Sequence, residues 1–436
     1  MNFRKYLLYI ILICTGPVAS AQERLSLSDA IALALKNNYD IKIVSNDAQI
    51  AKNNVNLGNA GFLPALTGDF NTGGGRLNSV QTAQTGVERE VNGARNSNLA
   101  YGVNLGWTIF DGMQMFTNYD RLKELQKQGE VGARAAVLTT VADVTTAYFD
   151  LARQQKLIAA RDSALDISKF RLNIANNKLE IGKGSKLDVL TAQVDYNADT
   201  SIYLQQQNTA RQLMISLNRL MARDPNIVFT ADASLVSDQT LNYSALETSA
   251  ATLNPVIQDA VINSRIAALN LKSIKGQRLP VIGVNGGYEI NRSSTPTGFN
   301  QKFKSQGFTY GLTASINIFN GFLQRQNERN AKIEINSSEL LLQQAKENIN
   351  AQLFSAYRTY TTSIDLLKLE NKNVEIARQY LDITLEKYRL GSISPLDVRD
   401  AQITFLDAVT RNVEAQYQAK LNEIMLKEIS GTLTLQ

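Results

Sequence analysis

Residues 107–193 and 316–402 align without a gap at a constant offset of 209, so one structural unit is written twice in this chain. Trp107-Thr108-Ile109-Phe110-Asp111-Gly112 answers Ile316-Asn317-Ile318-Phe319-Asn320-Gly321. Gly182, Leu187-Asp188-Val189 and Ala192-Gln193 answer Gly391, Leu396-Asp397-Val398 and Ala401-Gln402. A repeat this long with no insertion means that the spacing is structural, as in elements of fixed length. Upstream, Asn38, Ile41, Ile50, Leu63 and Pro64 answer Asn254, Ile257, Ile266, Leu279 and Pro280 at an offset of 216. The change between the two offsets falls between Pro64 and Trp107, around Gly73-Gly74-Gly75 and a polar run to Asn98. This predicts an exposed loop over 73–98, where length change is tolerated.

Within the repeat, Met113 to Ile181 lacks proline and carries a seven-residue stripe: Val137, Val144, Leu151, Ile158, Leu165, Leu172 and Leu179. The second copy answers with Leu353, Tyr360, Leu367, Val374, Leu381 and Tyr388. A strict apolar period of seven marks the seam of a supercoiled helix. About 69 residues at ~1.5 Å each make roughly 100 Å of helix. Half-length helices flank each long one: Ser28 (as N-cap) to Ala60 and Leu187 to Ala222 in the first copy, Pro255 to Gln277 and Leu396 to Ser430 in the second. Two halves stacked end to end match one full helix.

Period two replaces period seven just before each long helix. Tyr101, Val103, Leu105, Trp107 and Ile109 alternate with small or polar residues, as do Phe308, Tyr310, Leu312, Ala314, Ile316 and Ile318. Companion strands are expected over Leu63 to Thr72 and Leu279 to Asn291. Strands of this length, with one apolar face, suit a membrane-spanning β-barrel. The two hairpins have no sheet to join within one chain, and lipid forbids an open edge. Closure therefore falls to further copies: two give eight strands and a filled interior, three give twelve and a lumen. Three is the expectation.

The domain reading is a signal peptide over 1–21, a first repeat over 22–224, a linker over 225–243 and a second repeat over 244–436. In the first repeat the hairpin spans about 63–110, the long helix 113–181 and the following half-helix 187–222. In the second they span 279–319, 322–390 and 396–430. The leader has Arg4 and Lys5, an apolar run to Cys14 and Ala19-Ser20-Ala21 before Gln22, which predicts export. Leu12-Ile13 before Cys14 argue against lipid attachment. Beyond the leader there is no cysteine, and the chain has no histidine, which excludes disulfides, thiolate chemistry, Cys/His zinc sites and histidine triads. No catalytic residue, metal or cofactor is expected. A net charge of +5, two of it in the leader, is too dispersed for nucleic acid.

Together these features resemble the TolC-like outer-membrane factor family over nearly the whole exported chain. The carriers are Leu25 to Asn38, Phe62-Leu63-Pro64, Ile318-Phe319-Asn320-Gly321 and the two glycine-to-Asp-Val turns. The resemblance implies a mostly α protein with a transmembrane β-barrel part, built on an internal tandem repeat. Four strands per chain would complete a 12-stranded barrel in a homotrimer, continued by a long periplasmic α-helical barrel. It implies the outer membrane of a Gram-negative bacterium, with partners in a periplasmic adaptor and an inner-membrane transporter. The function implied is a passive exit duct of a tripartite efflux pump or, alternatively, of a type I protein secretion system. A pore-free periplasmic coiled-coil scaffold is the remote alternative, and an enzyme a weaker one.

The resemblance also assigns residues. Gly182, Gly391, Leu179 and Leu390 sit in tip turns on which the adaptor docks. Asp397 and Asp400, on one helix face, and Asp188 belong to the periplasmic aperture, where rings of carboxylates would repel, hold cations and raise some of their pKa values. Relatives carry an arginine latch where this chain has Ile393, before Ser394-Pro395, so the latch is not expected in the same form. Trp107, Phe110 and Phe319, at the strand-to-helix junctions, are expected in an aromatic girdle.

Overall fold

The computed structural model describes residues 23–232, 234–297 and 301–433. The expected signal peptide over 1–21, with Cys14, lies outside the described residues. The chain divides into two compact units. Of the described residues, one comprises 23–44, 133–232, 234–255 and 346–433, and the other 45–132, 256–297 and 301–345. Among the described residues no helix is long and apolar enough to cross a membrane.

The first unit is mostly helical. It holds α1 (Leu27–Asn37), the start of α2 (Tyr39–Asn53), most of α4 (Gln114–Glu180), α5 (Lys186–Leu220), α6 (Tyr243–Leu253), most of α8 (Leu323–Arg389) and α9 (Pro395–Ile429). Both α4 and α8 contain 67 residues. Their seven-residue stripes lie inside: Val144, Leu151, Leu353, Tyr360, Leu381 and Tyr388 are buried. Each fully buried aliphatic of this size contributes roughly 1.5–3 kcal/mol. Tyr148, beside the stripe, is buried with its hydroxyl donating to the Leu25 carbonyl at 2.7 Å.

The repeat markers Asn38 and Asn254 turn out to do the same work. Each ends one short helix where the next begins, and each is buried. The Asn38 amide donates to the Leu220 carbonyl at 3.0 Å, and Asn254 to Ile429 at 2.8 Å. Those are the last residues of α5 and α9, whose final carbonyls have no partner within their own helices. The asparagines join the ends of stacked half-helices. The expected single helix from Ser28 to Ala60 is therefore three, α1, α2 and α3 (Leu57–Ala60), and its cap is Ser26, which accepts from the Asp29 amide at 3.1 Å. Within the expected linker, β4 (Phe229–Ala231) pairs in parallel with β1 (Glu23–Leu25), an element with no sequence signal.

The second unit carries a four-stranded antiparallel sheet in the order β2 (Ala65–Thr82), β3 (Glu88–Asp111), β5 (Val281–Ser294), β6 (Lys302–Ser315). Two expectations are corrected here. The hairpins are not separate, since β3 pairs with β5 from Asp111↔Val281 to Ser97↔Ser294. The 73–98 region is not a loop either. Gly73, Gly74 and Gly75 pair with Asn98, Ser97 and Asn96, and the reversal is confined to 83–87. Ladder hydrogen bonding has overridden the weak strand propensity of glycine and asparagine. At the other end, Ile316 and Ile318 lie past β6 rather than within it.

Both strand-to-helix junctions use paired left-handed residues. Gly112 and Met113 have φ of 72° and 69°, and Gly321 and Phe322 have 66° and 63°. A Cβ on Gly112 would stand 2.1 Å from the Gly276 carbonyl oxygen, so α7 (Pro255–Gly276) approaches too closely for a side chain there.

Candidate functional site

The helix tips repeat one local design. After α4, the Gly182 amide donates to the Leu179 carbonyl (3.0 Å) and Lys183 to Lys178 (2.8 Å), with Gly182 at φ 71°. After α8, Gly391 donates to Tyr388 (3.0 Å) and Ser392 to Lys387 (3.0 Å), with Gly391 at φ 78°. This is the glycine stop in which two amides satisfy the last free carbonyls. Ser185 and Ser394 then start α5 and α9 through capping boxes with Asp188 and Asp397. The Ser394 amide and hydroxyl both donate to the Asp397 carboxylate at 2.9 Å, and the Asp397 amide donates back to the serine oxygen at 3.3 Å.

That chemistry changes the reading of the two aspartates. Both carboxylates are exposed and held below the usual carboxylate range. For Asp397 the causes are the Ser394 backbone amide and then its hydroxyl; for Asp188 they are the Ser185 hydroxyl, its amide and the charge of Lys178. Within a single chain the shift is thus opposite to the rise expected from a ring of like charges, because the helix start supplies donors. Asp400 is exposed on the next turn.

Leu179 is half-buried against Ala175, Val189 and Ala192, whereas Leu390 is 83 % exposed. Leu179 ends the buried stripe, which was the signal that it faces inward. Ile181, Leu187 and Leu396 are exposed beside the turns and form the apolar surface of the tips. Gly184 was missed as well: a Cβ there would stand 2.9 Å from that of Lys178. Lys178 lies 4.7 Å from the centroid of buried Tyr388, linking the ends of α4 and α8.

A buried ionic network behind the tips had no sequence signal. Arg399 on α9 donates twice to Asp199 on α5, at 2.7 and 3.1 Å, and Asp199 also accepts from Ser168 on α4. Arg171 donates to Asp195 at 2.9 Å. Gln402 donates to the Ala164 carbonyl (2.8 Å) and to Ser168 (2.9 Å). Ser168, Arg171, Asp199 and Gln402 are all buried. Three helices are thereby tied together, and the bidentate pair fixes geometry as well as charge.

The sheet of the second unit presents two unlike faces, which the register assigns since paired residues share a face. One face carries Leu66, Phe70, Tyr101, Val103, Leu105, Trp107, Val284, Tyr288, Ile290, Phe308, Tyr310 and Leu312. Much of it is open: Phe70 is 72 % and Tyr310 84 % exposed. The other carries Thr67, Asp69, Asn71, Asn104, Asn285, Glu289, Thr309 and several glycines. An irregularity between Thr108 and Phe110 leaves Ile109 unpaired and returns Phe110 to the Trp107 face. The Trp107 indole donates to the Phe62 carbonyl at 2.9 Å, while Phe319 is exposed and meets Phe322 edge-on at 5.3 Å. Among the described residues no group of three or more His, Cys, Asp or Glu is placed to hold a metal ion.

The family model for "Outer membrane efflux protein" matches residues 30–223 and 246–432. Outer membrane efflux protein BepC of Brucella suis is 20% identical over 432 residues, covering 99% of this chain and 91% of that protein. Proteases secretion protein PrtF of Dickeya chrysanthemi is 19% identical, covering 100% and 94%. The crystal structure of the Campylobacter jejuni CmeC outer membrane channel shares the fold, with a TM-score of 0.75 at 18% identity, covering 93% of this chain and 85% of that one. With these matches over nearly its whole length, the chain belongs to the outer membrane efflux protein family, whose members are passive outer-membrane channels with a large periplasmic part and not enzymes.

Proposed function

We propose that three copies of this chain form a channel serving as the exit duct of a tripartite efflux pump, opened from the periplasm by an adaptor and an inner-membrane transporter. The observation that carries the proposal is the sheet. Its apolar face is uncovered, and its outer strands β2 and β6 have no further partner among the described residues. In lipid, unpaired edge groups have no water to bond, so the edges require other copies. Three copies make twelve strands, with Asp69, Asn104 and Glu289 on the lumen side and the aromatic face towards lipid. Trp107 and Phe110 then stand in the girdle near the helices, with Phe319 just past the end of β6.

A second feature supports assembly. On α8, Leu369, Ile376 and Ile383 recur every seven residues, and Leu390 continues the spacing just past its end; they are 54, 65, 58 and 83 % exposed. This stripe is distinct from the buried one and is a seam left uncovered by the described residues of its own chain. The tandem repeat fits the design, each copy giving one hairpin, one long helix and two flanking half-length segments. Gly182, Gly391 and Leu390, with the apolar residues around them, form the adaptor-facing tips, and Asp188, Asp397 and Asp400 the aperture. PrtF, named for protease secretion, is similar over the full chain, so a protein cargo is the second reading of the same duct.

The test is the mass and conductance of the detergent-extracted protein. A particle of three chains that conducts in planar bilayers is expected. A water-soluble monomer that needs no detergent would overturn the channel reading.

A further inference from the structure

The outward face of the sheet changes character abruptly at its hairpin end. Above the row Phe70–Tyr101–Ile290–Gln306 come Thr72–Leu99–Arg292–Lys304, then Gly74–Ser97–Ser294–Lys302, and then the pair Arg76–Arg95. Five cations therefore stand on the apolar side of the sheet, at the end remote from the helices. That face has no carboxylate over residues 66–76, 95–107, 282–294 and 302–314; Asp69 and Glu289 are on the opposite face, and Glu88 and Glu90, which share the cations' face, stand beyond the register shift in the extension of the β2–β3 hairpin. None of the five cations has an ion-pair partner among the described residues.

Two of the cross-strand pairs, Arg292↔Lys304 and Arg76↔Arg95, set like charges directly opposite each other. That arrangement is destabilising unless something neutralises it. Arg292, Lys302 and Lys304 also line a concavity of about 380 Å³ with Thr72, Ser97 and Ser294, whose hydroxyls add donors and acceptors.

We propose that this patch binds the phosphorylated headgroup of the outer-leaflet glycolipid, in the manner of a lipid A phosphate. The inference rests on the barrel reading given above. From Ile282 to Arg292, ten residues at ~3.3 Å along a strand tilted by about 40° rise roughly 25 Å, the height of an apolar band in an outer-membrane barrel. Arg292 and Lys304 thus reach the headgroup level on the side away from the helices. Arginine supplies paired donors to phosphate oxygens and lysine a point charge. Phe70, Tyr101 and Ile290, directly below, would lie against the acyl chains.

The experiment compares the wild-type protein with Arg292→Gln/Lys304→Gln and with the charge-preserving Arg292→Lys/Lys304→Arg. Each is reconstituted in phosphatidylcholine vesicles containing bisphosphorylated lipid A, re-extracted, and analysed for retained lipid A by native mass spectrometry. The wild type and the charge-preserving variant should retain it, and the glutamine variant at least tenfold less. Lipid A stripped of its phosphates should be lost from all three. Equal retention by the glutamine variant, or equal retention of phosphate-free lipid A, would overturn the proposal. Inorganic pyrophosphate is the second arm: binding to the lipid-free protein as tight as that of lipid A would make the ligand a free anion and overturn the lipid assignment. Conductance is recorded on the same vesicles. Normal channels with unchanged lipid retention sink this inference alone, whereas an absence of channels sinks the barrel reading beneath it.

Discussion

Replacing Asp199 with alanine should loosen α9 from α4 and α5 without unfolding the protein. The carboxylate is buried and accepts both Arg399 donors and the Ser168 hydroxyl. Removing one partner of a buried pair costs roughly 3–5 kcal/mol, because the other charge is left uncompensated. Two features reduce that here. Arg399 is 21 % exposed and can reach water, and Asp195 stays 3.9 Å from it. Ser168 also keeps its bond from Gln402 at 2.9 Å. The net cost is then about 2–3 kcal/mol, or roughly 30- to 150-fold in an opening equilibrium at ~1.36 kcal/mol per decade. A membrane assembly does not give a two-state melt, so amide exchange is the appropriate assay. Peptides covering the first three turns of α9 should exchange faster by that factor, while those covering the sheet keep their rates. Asp199→Leu with Arg399→Met removes both charges and should recover most of the protection. Unchanged exchange in Asp199→Ala, or a double variant no better than the single, would show that the network does not hold these helices together.

The aperture proposal predicts that Asp397→Ala with Asp400→Ala raises conductance in planar bilayers and weakens block by divalent cations; unchanged conductance and block would remove these residues from the gate. A β-branched residue at Gly391 meets no neighbour but must adopt φ near 78°, which costs about 1–2 kcal/mol. Gly391→Val should therefore impair efflux in cells while leaving extractable trimers intact, and normal efflux would argue against a docking role for that turn. Since the folded-state values of Asp188 and Asp397 lie below the ordinary ~3.9, their capping contribution is complete above that pH and is lost as pH falls through the lower folded values. Exchange at the starts of α5 and α9 should thus be insensitive to pH from 5 upward, after correction for intrinsic rates, and rise only in stronger acid. An epitope inserted within 83–87 should be tolerated and labelled on intact cells, whereas one at Gly74 breaks the β2–β3 ladder and should reduce the yield of folded protein.

The helical part was legible because its signals are local and written twice. The stripe through Val144, Leu151, Leu353 and Leu381 is a period that any helix must bury on one side. Gly182 and Gly391 end their helices through φ, which a single residue can signal. The strand face from Tyr101 to Trp107 was legible for the same reason, through alternation. What escaped depends on residues far apart or unlike between the copies. Asp199 and Arg399 sit on different helices, and at the offset of 209 they answer Ala408 and Leu190. Searching for what the copies share discards such a pair. The extension of β2 through Gly73-Gly74-Gly75 escaped because pairing, not propensity, makes it a strand. The aspartates of the tips were read for charge, while their nearest chemistry is the serine three residues before each.

The seam between β3 and β5 has a consequence for biogenesis. The first hairpin can zip as soon as it emerges, since its strands are neighbours in sequence. Its inner edge must wait for β5, which follows a 67-residue helix, a 35-residue helix and the start of the second repeat. Until β5 arrives the hairpin has an apolar face and two unpaired rims, a species prone to stick to its own kind. On the barrel reading, the order of the strands along the chain thus leaves the first hairpin with an open edge for longer than a simple meander would, and a holding chaperone that covers that edge would protect it.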